Sequence, residues 1–194
     1  MIISIHFFSF FVSVRYLRRK ILLERYFFYV FRFIVIFVLS ILFFRFFIFT
    51  PGIVNGPSME TTFIDDDVFY VNKFIYLLRE PERFDVVQFI EPEQQKLVMK
   101  RAVGMPGEVI SIRRGKVFVQ KSLDEDPVEI SEMYLKPSEY TKVRGQSGGQ
   151  RYLVPSNTYF LLGDNRQEST DSRIYGPIHR SNIVGKVVER KRSE

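Results

Sequence analysis

Cysteine and tryptophan are absent from the 194 residues, and histidine occurs only at His6 and His179. Without cysteine there is no disulfide, no thiolate zinc site and no cysteine nucleophile. The compartment stays open, because an oxidising space permits disulfides without requiring them. Also missing are an HExxH pair, a GxxxxGK[ST] phosphate loop, a GxSxG elbow and any cluster of metal ligands at useful spacing. A Ser-His-Asp triad would have to use His179, in the loop GPIHRSN, where a surface role is the simpler reading. Net charge is absent from most of the chain. Residues 1–50 hold seven Lys/Arg (Arg15, Arg18, Arg19, Lys20, Arg25, Arg32, Arg45) against Glu24, which is the whole net charge of +6. The other 21 basic and 21 acidic residues cancel, so the pI near 9.5 is no argument for nucleic-acid binding.

What is present is divided as unevenly. Fourteen of the 21 Phe lie in residues 1–50. Tyr26–Phe49 is an apolar run of 24 residues broken only by Arg32 and Arg45. As a helix it would measure about 36 Å, enough to cross a hydrocarbon core of ~30 Å with some tilt. Both arginines lie near an end, where a long side chain reaches the headgroups. A buried helix of a soluble domain would need a core that the remaining 144 residues are poorly able to supply. A cleaved leader is disfavoured, since the run is long and no small-x-small site follows at Thr50–Asn55. The basic cluster precedes the span, and the first Lys or Arg beyond Arg45 is Lys73. Positive-inside bias then puts residues 1–25 in the cytoplasm and residues 50–194 outside. Met1–Val14 is apolar but short for a span. An interfacial segment, an assisted crossing and a start set too far upstream all leave the later topology unchanged.

From Pro51 the pattern turns to short runs rich in Val, Ile, Phe and Tyr: 68–71, 84–90, 97–103, 109–112, 116–120, 158–162 and 183–189. Arg113–Arg114–Gly115 has the character of a tight hairpin connection. Residues 121–151 are polar, with Pro127, Pro137 and the pair Gly148–Gly149, and read as a small loop-rich insertion. The expected fold is mainly β: an N-terminal transmembrane helix (26–49), then one antiparallel β-barrel or sheet domain (50–194).

Four stretches can carry chemistry. Asn55-Gly56-Pro57-Ser58-Met59 sets a serine on a rigid turn just beyond the membrane span. In Lys96–Gly107, strand alternation puts Lys100 on a face with Val98 and Ala102, and Arg101 on the other with Met99 and Val103. Burying an ammonium is costly, and desolvation lowers its pKa. A neutral lysine can serve as a general base towards a serine. The competing reading has Lys100 snorkelling from an edge strand and Arg101 pairing with a surface acid. In Tyr159–Arg173 an apolar strand enters a dense polar loop, where Ser169 can hold the lysine amine and Asp171 can brace Arg173. Asp67 and Asp85, each opening a β run, read as structural, and Asp65–Asp67 as a solvated edge rather than a metal site.

Together these residues resemble the type I signal peptidases, membrane-bound serine proteases that remove signal peptides from exported proteins. The resemblance runs from Arg45 to about Val188. GPSMETT is similar to the family's serine box, with Ser58 at the nucleophile position. MKRAVGMPGE is similar to its lysine box, with Lys100 as general base, and GDNRQESTDSR to its third signature, with Ser169, Asp171 and Arg173 in supporting places. Three boxes in this order after a membrane span are specific. The resemblance implies a Ser-Lys dyad, cleavage after small residues at positions −1 and −3, no metal or organic cofactor, and signal peptides of preproteins as partners. It also implies membrane lipid as surroundings, no nucleic acid and no obligate protein partner. Departures are Pro57 and Thr61 beside the serine, Asp66 and Phe84 where a glycine before aspartate is usual, and Glu108 for the common Asp. Gly56 stands where some members carry a serine that helps form the oxyanion hole. Two other readings remain at this level: a self-cleaving Ser/Lys protease, for which the DNA-binding module is missing, and a non-enzymatic, membrane-anchored β domain acting as an export adaptor.

Overall fold

The structure is a computed structural model that describes residues 22–44, 49–122, 124–142 and 150–191. Its two compact units are Met1–Phe46 and Phe47–Glu194. In the first, helix α1 covers Leu22–Phe44, 23 residues and about 34 Å. It starts four residues before the expected span, and Phe49, expected at its end, opens a strand instead. Large apolar side chains stand exposed all round α1. A helix apolar on every side needs a lipid or core environment, and no part of the described helix window is buried in protein. Met1–Val14 and Arg45 lie outside the described residues.

The second unit is built of antiparallel strands. They are β1 (Phe49–Ile53), β2 (Val68–Asn72), β3 (Val86–Ile90), β4 (Leu97–Gly104), β5 (Val109–Arg113), β6 (Lys116–Gln120), β7 (Val128–Glu129), β8 (Gln150–Leu153), β9 (Thr158–Leu162), β10 (Ile178–His179) and β11 (Ile183–Lys191). Two four-residue helices, α2 (Ile75–Leu78) and α3 (Ser172–Tyr175), and two 3-10 turns interrupt them. Seven strands form one sheet in the order β1-β2-β11-β3-β4-β9-β10; four form a second in the order β7-β6-β5-β8. The expectation of a barrel or sheet resolves to two antiparallel sheets, with no β1–β10 pairing among the described residues.

Side-chain alternation along β4 and β9 distributes the core. Met99 joins a cluster with Val54, Met59, Phe69 and Val86. Ala102 and Leu161 belong to a second with Val87, Phe89 and Ile183. Val103, Phe160 and Leu162 meet Ile110, Ile112 and Val117 in a third. Each fully buried aliphatic or Phe side chain of this kind is worth roughly 1.5–3 kcal/mol. β4 therefore belongs to all three clusters, and a side chain placed on it is held firmly.

Turn chemistry explains several connections. Arg114 and Gly115 have φ of 49° and 81°, the pair of left-handed residues that a two-residue hairpin needs, so β5 and β6 are joined as expected. Asp66 and Phe84, where the resemblance leads one to expect glycine, have φ of 67° and 71°. The backbone thus keeps the glycine conformation although this chain carries larger residues there. The 121–151 boundary needs correcting, because Gln150 and Arg151 already belong to β8, which pairs with β5.

Candidate active site

Ser58 is the middle residue of the 3-10 turn Pro57–Met59, which follows β1. Pro57 presets the first turn, and Gly56 enters it at φ 94° and ψ 164°, a conformation that favours glycine. Met59 anchors the turn by burial in the first core cluster. Lys100, on β4, is only 4% exposed, and its Nζ donates to Ser58 Oγ at 2.7 Å. The reading in which Lys100 snorkels from an edge strand is excluded: β4 lies between β3 and β9, and the side chain is buried. Burial pushes its pKa down from 10.5 to about 8, against the carboxylates of Asp171 and Asp164, while the nearby Arg173 cation adds to the lowering.

The loop after β9 closes on this pair. Asn165 N–H donates to the Ser58 carbonyl (3.1 Å) and Asp164 N–H meets Met59 Sδ (3.4 Å). Gly163 is required here, since a Cβ on it would stand 2.1 Å from Ser169 Oγ and 2.6 Å from Ser58 O. Ser169 is buried, yet its hydroxyl has no hydrogen-bond partner among the described residues. The expected bond from Ser169 to the Lys100 amine is therefore not formed; the hydroxyl packs towards Gly163 while the amine is taken up by Ser58.

Asp171 and Arg173 do pair, by a different local structure from the extended strand that their spacing suggested. Asp171 caps α3, accepting from Arg173 N–H (3.2 Å), and the guanidinium grips the same carboxylate through Nε and Nη2, each at 2.7 Å. Gly163 N–H donates to Asp171 as well (3.1 Å). Arg173 then reaches the carbonyls of Arg166 (2.8 Å) and Ser169 (3.3 Å), tying both ends of the loop together.

A second buried pair emerges only from the structure. Arg101 donates to Asp164 from Nε (2.8 Å) and Nη2 (2.6 Å), with Thr62 bonded to both partners. The partner of Arg101 is thus a fully buried acid, not a surface one. Arg166, also buried, bonds Gly163 O (2.9 Å) and forms an ion pair with Glu132. Tyr134 lies under the Arg101 guanidinium, 4.0 Å from ring centroid to cation, and tilts against Phe84. Glu132, Tyr134 and Thr141 therefore fasten part of the insertion to the site, where the sequence suggested loops alone. The available signal was the adjacency of charges and apolar strand residues in MKRAV and LLGDNR.

The remaining acids are structural. Asp65 accepts from Gly56 N–H (2.7 Å), and Asp67 is buried and accepts from Ile64 N–H (2.9 Å), so this edge is only partly solvated. Asp85 gathers Tyr76 (3.1 Å), Arg79 (3.0 Å) and Lys186 (2.5 Å); against the effect of burial, Lys186, the Glu82 N–H and Arg79 hold its pKa down. His179 is exposed and bonds Ser181 (2.8 Å). Among the described residues no group of His, Asp or Glu could hold a metal ion.

Two antiparallel sheets thus bring the serine of a rigid turn against a buried lysine. The profile of the family described as "Signal peptidase, peptidase S26" matches residues 27–190, and the chain belongs to that family. Relatives include signal peptidase I V of Bacillus subtilis (strain 168), 35% identical over 140 residues, covering 68% of this chain and 79% of that protein. Signal peptidase I of Bacillus caldolyticus is 32% identical over 151 residues, 74% of this chain and 79% of the relative. A solved signal peptidase I from Enterococcus faecalis V583 is 26% identical, with a TM-score of 0.44 over 57% of this chain and 98% of its own. The enzyme class follows from the family and these curated relatives: a serine endopeptidase of the signal peptidase I type.

Proposed function

We propose that this chain removes signal peptides from exported preproteins at the outer face of the cytoplasmic membrane, using Ser58 as nucleophile and Lys100 as general base. The observation that carries the reading is the 2.7 Å contact between a buried lysine amine and the serine of a rigid turn. When the amine is neutral, the Ser58 hydroxyl becomes the donor and the nitrogen lone pair the acceptor. Attack of Ser58 Oγ on the scissile carbonyl transfers its proton to Nζ. The resulting ammonium protonates the departing amine as the C–N bond breaks, leaving an ester on Ser58. Water, deprotonated by the same amine, then hydrolyses that ester and restores the hydroxyl.

The oxyanion donor is the backbone N–H of Ser58, in the first turn of a 3-10 segment, where N–H groups lack intrahelical acceptors. Gly56 N–H is already given to Asp65, so it contributes nothing there. Asp171–Arg173 and Arg101–Asp164 hold the loop and strand that frame the dyad. Ser169, with its free hydroxyl, receives the amine's proton-bearing side once Ser58 has become an ester. The basic residues before α1 favour an N-terminus in the cytoplasm and the catalytic unit outside. No metal or organic cofactor enters the chemistry, and lipid is the only surrounding the anchor needs.

The test is cleavage of a purified precursor by the full chain in lipid vesicles. Ser58→Ala and Lys100→Ala should each abolish cleavage while leaving a cooperative melt. A variant within about tenfold of wild type, a barrier change of only ~1.4 kcal/mol, would remove its residue from the mechanism.

A further inference from the structure

β4 and β9 pair only as far as Leu162, which lies opposite Arg101. Gly163–Asn165, the segment that grips the Ser58 turn, is therefore beyond the last strand pairing and is placed by other bonds. Two buried arginines supply some of them. Arg166 holds Gly163 O (2.9 Å), and Arg101 holds the Asp164 carboxylate. Tyr134, from the polar insertion, meets both. Its ring lies under the Arg101 guanidinium at 4.0 Å, while its hydroxyl accepts from Arg166 Nη2 (3.0 Å) and donates to Glu132. Phe84 steadies the arrangement, with its ring 5.5 Å from that of Tyr134 and its carbonyl accepting from Arg101 (3.0 Å). Neither charge needs the tyrosine as a partner. Arg101 already has Asp164 through two donors, and Arg166 already has Glu132 and Thr141. What the tyrosine adds is geometry: a stiff side chain that fixes one guanidinium relative to the other.

We propose that Tyr134 is a positioning residue for cleavage, setting the loop that holds Ser58 against the strand that carries Lys100. This rests on the peptidase reading above. Arg101 follows Lys100 directly on β4, so the ring takes its bearing from the base's own strand. Arg166 passes that bearing to Gly163, and Asn165 N–H delivers it to the Ser58 carbonyl. The partners of Tyr134 are the two arginines and Glu132, not the members of the dyad. Burial pushes the phenol pKa well above its ordinary 10, so the hydroxyl exchanges no proton in the reaction. It acts through alignment alone. Misplacing a reacting group by about 1 Å from a distant site can cost ~10²-fold in rate.

The experiment follows single turnovers of one precursor, with the full chain in excess in vesicles, for wild type, Tyr134→Phe, Tyr134→Leu and Tyr140→Leu. Phenylalanine keeps the ring under Arg101 and loses the bond to Arg166; leucine loses both. The rate constant at saturating enzyme reports each folded molecule, so a destabilised variant still gives an answer. It should fall about tenfold in Tyr134→Phe. In Tyr134→Leu it should fall about fiftyfold. The half-saturating concentration, corrected for the folded fraction, should stay within about twofold in both. Tyr140 belongs to the same insertion but stands beside Gly115, so Tyr140→Leu loosens the insertion without touching either arginine. Its rate constant should stay within about twofold of wild type. A wild-type rate constant in Tyr134→Phe, an equal fall in Tyr140→Leu, or a change confined to half-saturation would overturn the assignment. If Tyr134→Leu does not fold, Tyr134→Phe decides alone. Wild type that cleaves no precursor would instead overturn the peptidase reading on which it rests.

Discussion

Lys100 has exchanged nearly all of its water for one hydroxyl, and both its protonation and the stability of the fold depend on that exchange. An unfolded chain holds the proton up to ~10.4, the folded one only to about 8. Between those values the unfolded state binds more protons, so the stability of the fold rises with pH through that window. Unfolding of wild type and Lys100→Met in denaturant at pH 8 and pH 10 should show this gain in the wild type only. Ser169 and Asp171 separate along a different line. The Ser169 hydroxyl makes no hydrogen bond among the described residues, and the backbone carbonyl that Arg173 holds survives substitution, so Ser169→Ala should melt as wild type does and lose ~1–3 kcal/mol of transition-state stabilisation. Asp171→Ala leaves Arg173 buried and uncompensated, and should cost roughly 3–5 kcal/mol of stability, with activity falling alongside. Thermal melts beside kcat/KM decide the pair. A Ser169→Ala protein that unfolds, or an Asp171→Ala protein that stays stable but inactive, would exchange the two roles.

At the level of strands and turns, alternation of apolar residues made β2, β4, β5, β6, β9 and β11 legible to within a few residues. Two-residue strands such as β7 and β10 leave no period to read, and Pro51–Gly52 conceals β1. The three chemical boxes could be read because each is local. Arg101 and Asp164, 63 residues apart, pair only through the β4–β9 register, and no local pattern announces that. Nor could spacing alone show that Asp171 caps a helix rather than extending a strand. Two turns also carry a cost that can be measured. A left-handed conformation costs a non-glycine residue ~1–2 kcal/mol, while glycine costs ~0.5–1 kcal/mol in chain entropy. Asp66 is exposed, so Asp66→Gly should stabilise the protein by ~0.5–1 kcal/mol in denaturant titration. Phe84→Gly should show no such gain, because it also gives up the ring contact with Tyr134. Equal stabilisation by both would mean that the aromatic contact contributes nothing.

For the whole molecule, the proposed activity requires an apolar helix in the bilayer and a catalytic unit on the side to which preproteins are exported. Protease added to intact spheroplasts should digest residues beyond Pro51 and spare a tag fused before Met1; a protected catalytic unit would contradict the proposed orientation. The central claim is that a neutral Lys100 activates Ser58, and the pH profile of kcat/KM on a precursor tests it most directly. The predicted curve rises with pH through an apparent pKa near 8, falls about tenfold per pH unit below it, and is unaltered by His179→Ala. A profile flat from mildly acidic to alkaline pH, or a rise near ~6.5 that disappears in His179→Ala, would contradict it.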